Sequence, residues 1–426
     1  MICMRKHLAL IVILLASIAV HFAFFGHPRQ TVFDEVHFGK FVSGYFTHEY
    51  FFDIHPPLGK LIISGAAKMA GFEPGFSFGQ IGEQFPNATY KAMRLLPSIA
   101  GTLLPVVIFL LLLELKFSKG AAMTAGLLIA FDNALLVQSR FMLLDSFLLL
   151  LGFLSWWLYA KFRNSPTTHY SLFTSAAIFA GAAASVKWTG ITFLAVIGIL
   201  ELIRVIRERT RFLSLVVLIF VPFLVYYALF TIHFSLLSQP GPGDAFMSQD
   251  FRDGKLSSFE KFNELNSEMY RANARLTATH PYSSKWYQWP FMVKGIYYWN
   301  SANEKIYLLG NPIIWWASTF GILYILINSV TARNTMYWLL SGAYLLNILP
   351  FIGIDRAMFL YHYFTGLIIA IIALVYFVDS LKNRNKIFAV LLAASFVVFL
   401  YFAPLSYGLQ LSEKAFQHRM WLESWK

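Results

Sequence analysis

The chain has 426 residues, of which 58% are hydrophobic and 13% are charged, and its mean hydropathy is +0.59. Soluble domains carry about 25% charged residues, so these figures exclude a soluble globular protein, a disordered chain and a coiled coil. The formal net charge of +12 therefore does not indicate nucleic acid binding. The single cysteine, Cys3, excludes an intrachain disulfide framework and a cysteine-based zinc cluster.

Apolar runs long enough to cross a bilayer follow one another along the chain. A helix needs about 20 apolar residues to cross about 30 Å of hydrocarbon. The first run follows Arg5 and Lys6 and resembles a signal peptide in position, but its length favours an uncleaved helix. Eleven transmembrane helices are predicted, near residues 8–25, 95–113, 120–139, 142–160, 170–186, 188–203, 212–232, 306–330, 334–354, 357–378 and 387–407.

Positive charges in the short connections predict the orientation of these helices. Fourteen lysines and arginines lie in one set of short connections, whereas the opposite set holds only Arg140, Lys187 and Arg356. The positive-inside rule then places the N-terminus in the cytoplasm of a plasma (inner) membrane protein and the C-terminus outside. Residues 1–426 would form one transmembrane domain, with two long extracytoplasmic loops at 26–94 and 234–305.

The first long loop has the densest mixture of acidic, basic and aromatic residues. Its sequence predicts two helices at the membrane surface, over 35–46 and 58–69, joined by a polar connecting segment. Asp34 either caps the first helix or acts as a general base at the outer rim of the membrane. His37 would share a helical face with Asp34, whereas Glu35 would point elsewhere.

The segment that connects these two helices carries Asp53 and His55, which form either a turn held by its own hydrogen bonds or part of an anion site.

Basic residues follow at what we predict to be the same membrane depth. One such residue could simply reach the lipid headgroups, but four at one level favour a cavity that binds a lipid phosphate. The four are Arg94, Arg140, Lys187 and Arg356.

Other polar and aromatic residues would support that cavity. We expect Asp145 to pair with a basic residue rather than to act as a catalyst, and His362 to be a buried histidine with satisfied hydrogen bonds. Trp286 and Trp289 could stack on sugar or peptide, and their local pattern is typical of an interfacial aromatic belt; we expect them to support the cavity structurally. The sequence requires no cofactor and predicts no metal site, although it leaves a divalent metal requirement open.

At several motifs the chain resembles the protein O-mannosyltransferases, which use dolichyl- or polyprenyl-phosphate mannose. The matching motifs are Phe33-Asp-Glu-Val-His-Phe-Gly-Lys40, Tyr50-Phe-Phe-Asp-Ile-His-Pro-Pro-Leu-Gly-Lys60, Ser139-Arg-Phe-Met-Leu-Leu-Asp-Ser146, Ser185-Val-Lys-Trp-Thr-Gly190, His280-Pro-Tyr-Ser-Ser-Lys-Trp-Tyr-Gln-Trp-Pro290, Gly310-Asn-Pro-Ile-Ile-Trp-Trp316 and Phe359-Leu-Tyr-His-Tyr-Phe364. The resemblance implies an all-α polytopic fold of the C-type (GT-C) membrane glycosyltransferases, with about 11 transmembrane helices and interfacial helices in the first outer loop.

The resemblance also implies roles for particular residues. Asp34 matches the catalytic base of the family, and Glu35 matches a position assigned to substrate binding. His55 lies in the family's first-loop motif, while Arg94 and Arg140 match basic positions near the site. The implied reaction transfers mannose from a lipid phosphate to Ser or Thr hydroxyls of secreted or membrane proteins emerging outside, at the translocation channel, with inversion.

The chain departs from the eukaryotic members, which insert a β-trefoil (MIR) domain in the second long loop, and so resembles a short prokaryotic member. Two other functions stay open at this stage. A polyprenyl-phosphate sugar transferase with a lipid acceptor, such as an aminoarabinose transferase, would need the same acid and basic residues. A transporter is also compatible with many helices, but no inverted repeat is evident and the charges lie towards one face.

Overall fold

The computed structural model describes residues 2–165, 169–209, 212–275, 279–354 and 356–426. Helices make up most of it, and the apolar faces of neighbouring helices pack together to form the core. The first ten are α1 (Ile2–Phe22), α2 (Glu35–Thr47), α3 (Leu58–Met69), α4 (Tyr90–Glu114), α5 (Lys119–Ala130), α6 (Asn133–Ser139), α7 (Asp145–Asn164), α8 (Tyr170–Ala184), α9 (Ile191–Glu208) and α10 (Leu213–Leu236). They are followed by α11 (Gln249–Arg252), α12 (Ser258–Arg275), strands β1 (Ile296–Ser301) and β2 (Glu304–Leu308), α13 (Pro312–Ser329), α14 (Thr335–Ile348), α15 (Phe364–Asp379), α16 (Arg384–Tyr407) and α17 (Glu413–Gln417).

The protein is a multi-pass membrane protein. Within the described residues, seven helices are long and apolar enough to cross a bilayer, or eight if the bent pair α5–α6 is one span. Two shorter apolar helices, at His7–Phe22 and Tyr170–Ala184, coincide with predicted spans, as does α7. Helices therefore occur at all eleven predicted segments, whereas the orientation of the chain stays a prediction.

The segment predicted as a span at 120–139 is helical but not continuous, because the chain bends by 59° between α5 and α6. Asp132 lies at the break and its Oδ1 accepts a hydrogen bond from the backbone N–H of Leu135, which caps α6. The other oxygen accepts hydrogen bonds from Asn311 N–H at 3.0 Å and from Trp315 Nε1 at 2.7 Å. The carboxylate thus stabilises the bend by satisfying groups from distant parts of the chain.

The two helices predicted in the first long connection are confirmed as α2 and α3. Asp34 occupies the N-cap position of α2, but its side chain makes no capping hydrogen bond, so the capping alternative for this carboxylate is not observed. Its backbone carbonyl accepts the first bonds of the helix, from the N–H groups of His37 and Phe38. The carboxylate is therefore left available for another role.

The second long connection contains a β-hairpin that the sequence analysis did not predict. Strands β1 and β2 are antiparallel, and residues from 306 onward, which were assigned to a transmembrane helix, belong partly to β2. β2 packs against α6 and α16 and thereby lies next to the bend at Asp132. The hairpin pairing is interrupted once, because Tyr297 pairs with Tyr307 and Trp299 with Ile306, so Tyr298 is an extra residue in β1.

Candidate active site

A cavity of about 590 Å³ lies between the first turns of α7, α9 and α15 and the last turn of α14. Helix α12 covers one side through Tyr270 and Asn273. Cavities of this size accommodate ligands as large as a sugar phosphate. Five residues predicted from the sequence line it, namely His55, Asp145, Lys187, Arg356 and His362.

Lys187 and Asp145 form an ion pair in the cavity wall, which confirms the prediction that Asp145 is the partner of a basic residue. The Lys187 Nζ atom lies 2.8 and 2.9 Å from the two carboxylate oxygens. Gln138 Nε2 donates a further hydrogen bond to Asp145 at 2.5 Å, and Lys187 Nζ lies 5.2 Å from the centre of the Tyr361 ring. Lys187 keeps part of its surface exposed to the cavity, where an anion could reach it.

Arg356 supplies a second cation to the same cavity. None of the described residues forms an ion pair with its guanidinium group, and burial lowers its pKa. A partly buried arginine without a carboxylate partner is well suited to bind an anionic group through two parallel hydrogen bonds.

His55 is held by two groups that lie behind it. Its Nδ1 atom lies 3.1 Å from Asp53 Oδ1, and the other oxygen of Asp53 accepts a hydrogen bond from Lys60. Burial opposes the charged form of Asp53, yet Lys60 and His55 hold the pKa of this carboxyl below its ordinary value. Because Asp53 binds Nδ1, the Nε2 atom of His55 is the ring nitrogen available to the cavity. The predicted turn held by internal hydrogen bonds is confirmed, and its residue His55 forms part of the cavity wall.

Asp34 is half-buried just before α2 and does not line the cavity, but it is close enough to Lys187, Asp145 and Asp53 for their charges to act on it. Its carboxylate receives no hydrogen bond from the described part of the chain. Burial raises its pKa from the ordinary value to about 7, Lys187 opposes the shift, and Asp145 and Asp53 add to it. A carboxyl group with a pKa near neutrality can exist as a base and take up a proton during a reaction.

Glu35 occupies a different environment from its neighbour, and the structure gives no support for its predicted contact with substrate. The residue is fully buried, and Arg94 Nε and Nη2 donate to its two oxygens at 2.7 and 2.6 Å. The N–H groups of Val32 and Met142 complete the set at 2.9 and 3.0 Å. With four hydrogen bonds the carboxylate fastens the start of α2 to α4 and to the segment before α7.

Arg94 and Arg140 were predicted to bind phosphate, and the structure corrects both predictions. Besides Glu35, Arg94 donates hydrogen bonds to the carbonyls of Gly26, Pro28 and Gln30 and is fully buried. Arg140 donates to the carbonyls of His21, Ala23 and Phe24, and its guanidinium lies 4.6 Å from the centre of the Tyr407 ring. Neither residue lines the cavity, because each closes the loop after α1.

The remaining predicted residues differ in their distance from the cavity. Trp289 is fully buried, donates to Ser284 Oγ at 3.0 Å and stacks on His362 with ring centres 5.9 Å apart. It therefore supports the cavity from behind. His362 has Nδ1 near the backbone of Phe359, as expected for a histidine with satisfied bonds. Trp286 packs on Tyr287, and His37 is exposed on α2, so both lie away from the cavity lining.

Several residues in this region were missed from the sequence. Lys60 is contained in the quoted first-loop motif, and its place one turn into α3 after two prolines could have signalled its role. Tyr361 lies in the quoted Phe359–Phe364 motif, whereas Gln138 and Tyr298 carry no local signal. Only the folded chain brings Gln138 to Asp145, Tyr361 to Lys187 and Tyr298 to Gln138. Among the described residues there is no group of three His, Cys, Asp or Glu side chains placed to hold a metal ion.

Comparison with known proteins identifies the family. Residues 11–238, more than half of the chain, match the model of the dolichyl-phosphate-mannose-protein mannosyltransferases. Residues 258–425 match the C-terminal four-transmembrane region of protein-O-mannosyltransferase. The chain belongs to this family. It is 34% identical over 270 residues to dolichyl-phosphate-mannose–protein mannosyltransferase 4 of Candida albicans, covering 59% of this chain and 36% of the relative. It spans about a third of the length of the curated relatives that it matches.

Similar solved structures show that the fold is that of the GT-C glycosyltransferases. The protein O-mannosyltransferase Pmt1-Pmt2 complex of S. cerevisiae, bound to the sugar donor, matches with a TM-score of 0.91 at 20% identity, covering 99% of this chain and 93% of that chain. ArnT from Cupriavidus metallidurans, bound to undecaprenyl phosphate, matches with a TM-score of 0.53 at 12% identity, covering 90% and 61%. The sequence-based prediction of the fold is confirmed.

Proposed function

We propose that the protein transfers mannose from a polyprenyl-phosphate (dolichyl-phosphate) mannose to Ser or Thr hydroxyls of proteins. The observation that carries the proposal is that Asp34, a carboxyl without a hydrogen bond from the described residues, interacts electrostatically with Lys187, which lines a cavity together with Arg356, a cation without an ion pair to any of those residues. Membership of the mannosyltransferase family supports mannose as the sugar and a protein as the acceptor.

The two cations and His55 would bind the phosphate of the donor. Lys187 contributes a charge whose position Asp145 fixes, and Arg356 contributes two parallel N–H groups. The apolar residues of α9 and α14 that line the same cavity, among them Ile191 and Leu346, suit the first part of a prenyl chain. The sugar would then lie between the phosphate site and Asp34.

The chemical step is a single displacement at the anomeric carbon of mannose. The acceptor hydroxyl oxygen forms the new bond to this carbon while the bond from the carbon to the phosphate oxygen breaks. The hydroxyl proton passes to Asp34, and the electron pair leaves with the phosphate, which Lys187 and Arg356 stabilise. General-base assistance of this kind contributes about 10²–10⁴-fold to the rate. Because there is one displacement, the anomeric centre is inverted, and the transition state is oxocarbenium-like, as in other glycosyl transfers.

The acceptor class is tested with purified protein in liposomes and a labelled polyprenyl-phosphate mannose donor. The expected result is transfer to a Ser/Thr peptide and none to the same peptide with alanine at those positions. Transfer to a lipid acceptor instead would favour the aminoarabinose-type reaction, which the family match does not support. Uptake of the substrate without transfer would favour a transporter.

We propose further that the cavity faces away from the cytoplasm of the plasma membrane, where secreted and membrane proteins emerge from the translocation channel. After Cys3→Ser, the exposed side of α2 can be probed with His37→Cys and the connection before α16 with Lys382→Cys. An impermeant maleimide added outside intact cells should label the first variant and spare the second. The reverse labelling pattern would place the proposed site in the cytoplasm.

A further inference from the structure

Tyr298 is the extra residue of a β-bulge in strand β1. The residues on either side pair with β2, whereas Tyr298 faces no partner in that strand. Bulges leave one residue outside the ladder and redirect its side chain, and they are frequent beside active sites. Here the bulge frees the Tyr298 carbonyl for a contact outside the hairpin and turns a fully buried ring towards the first long connection.

The backbone and ring of Tyr298 both contact Phe33, the residue that precedes Asp34. Phe33 has a φ of +46°, a left-handed conformation that is unfavourable for a side chain of this size. Its N–H donates a hydrogen bond to the Tyr298 carbonyl at 3.0 Å, and the two rings stack with centres 4.1 Å apart and planes at 8°. The surrounding structure must hold such a residue in place, and Tyr298 provides two of the contacts that do so.

The hydroxyl group of Tyr298 reaches the opposite side of the site. It donates a hydrogen bond to Gln138 Oε1, and Gln138 Nε2 donates to Asp145 at 2.5 Å. Asp145 in turn binds Lys187 Nζ through both oxygens. The chain Tyr298–Gln138–Asp145–Lys187 therefore links the bulge to the cation proposed to bind phosphate.

We propose that Tyr298 is a positioning residue that sets two parts of the site independently. Its carbonyl and ring fix the backbone at Phe33 and thereby the place of Asp34, while its hydroxyl fixes Lys187 through Gln138 and Asp145. The second long connection thus acts through one residue on Asp34 in the first long connection and on Lys187 between α8 and α9. The proposal rests on the proposed function, since it assigns Asp34 to proton transfer and Lys187 to the donor phosphate.

The electrostatic surroundings of Tyr298 agree with this position. Burial raises the pKa of its phenol well above the ordinary value, and Tyr361, Asp34 and Asp145 raise it further. The hydroxyl consequently keeps its proton and remains a hydrogen-bond donor to Gln138. It therefore acts by placing other groups and does not itself exchange protons in the reaction.

Two substitutions separate the two effects. Tyr298→Phe keeps the ring and the backbone contact but removes the hydroxyl, so the donor KM should rise about tenfold with kcat within about threefold of wild type. Tyr298→Leu removes the stack as well, so kcat should fall about 100-fold, because small displacements of a reacting group have effects of this size. Tyr297→Phe is the matched control, since this neighbour pairs with Tyr307 and lies outside the chain of contacts.

Gln138→Leu tests the hydroxyl branch by a second route. It should raise the donor KM as Tyr298→Phe does, and the double variant should be no worse than either single one, because all three break the same chain. Unchanged KM in Tyr298→Phe, full additivity in the double variant, or unchanged kcat in a folded Tyr298→Leu would each overturn the proposal. The measurements use mannose transfer to a Ser/Thr peptide. Absence of transfer by the wild type would refute the proposed function itself. If the wild type transfers mannose but the Tyr298 variants have the same KM and kcat as Tyr297→Phe, only this inference is refuted.

Discussion

The ion pair between Glu35 and Arg94 should stabilise the fold and take no part in chemistry, although Glu35 adjoins the proposed base. Both side chains are completely buried. Glu35→Ala would remove the acceptor of four hydrogen bonds and leave the Arg94 cation without its charge partner. Breaking a buried pair in this way costs about 3–5 kcal/mol. The rings of Phe85, Tyr90 and Phe141, whose centres lie 4.9–5.4 Å from the guanidinium, offset part of that cost.

The assay is thermal unfolding of the detergent-solubilised protein, combined with transfer measured per folded molecule. Glu35→Ala should unfold at a clearly lower temperature than wild type. Glu35→Gln retains an acceptor oxygen, so its unfolding temperature should fall by less. Glu73→Ala, an exposed acid in the same connection, is the control and should match wild type. If Glu35→Ala unfolded at the wild-type temperature but transferred no sugar, the assignment of Glu35 to structure would be refuted and the substrate-binding role restored.

Three further predictions concern charge and the bend in the helix pair. The activity of the wild type should rise with pH through about 7 as Asp34 loses its proton. Lys187→Met should move the midpoint of this rise to higher pH, because Lys187 lowers the Asp34 pKa. An unmoved midpoint would contradict the assignment of Asp34 as the titrating base. Arg356→Gln should raise the donor KM about tenfold without changing the unfolding temperature, since no described residue pairs with it, and a normal KM would exclude it from the phosphate site. Asp132→Ala should destabilise the protein by about 3 kcal/mol or more, because Leu135, Asn311 and Trp315 each lose an acceptor; a stability equal to wild type would contradict this role of the bend.

Local patterns in the sequence identified much of the fold. Helices were expected at 35–46 and 58–69 and are present at Glu35–Thr47 and Leu58–Met69. Asp145 was expected to pair with a basic residue, and Lys187 is that residue. These features follow from apolar periodicity, proline positions and the cost of burying a single charge, which are all visible in a short stretch of chain.

The parts that the sequence did not reveal depend on contacts between distant residues. Glu35 and Arg94 are separated by 59 positions, so no local pattern distinguished Arg94 from a phosphate ligand. The bend at Asp132 requires Asn311 and Trp315, which lie about 180 residues away. The bulge at Tyr298 is a matter of strand register, and register is set by the packing of the hairpin rather than by its composition.

The role of Asp34 is tested most directly by comparing donor binding and mannose transfer for Asp34→Asn and wild type. Asparagine has nearly the same shape but cannot accept the hydroxyl proton, so the variant should fold, bind the donor with an affinity close to wild type and transfer at about 1% of the rate or less. Asp250→Asn, an exposed acid of α11, is the matched control and should transfer normally. Transfer by Asp34→Asn at a rate near that of the control would contradict the assignment of Asp34 as the base.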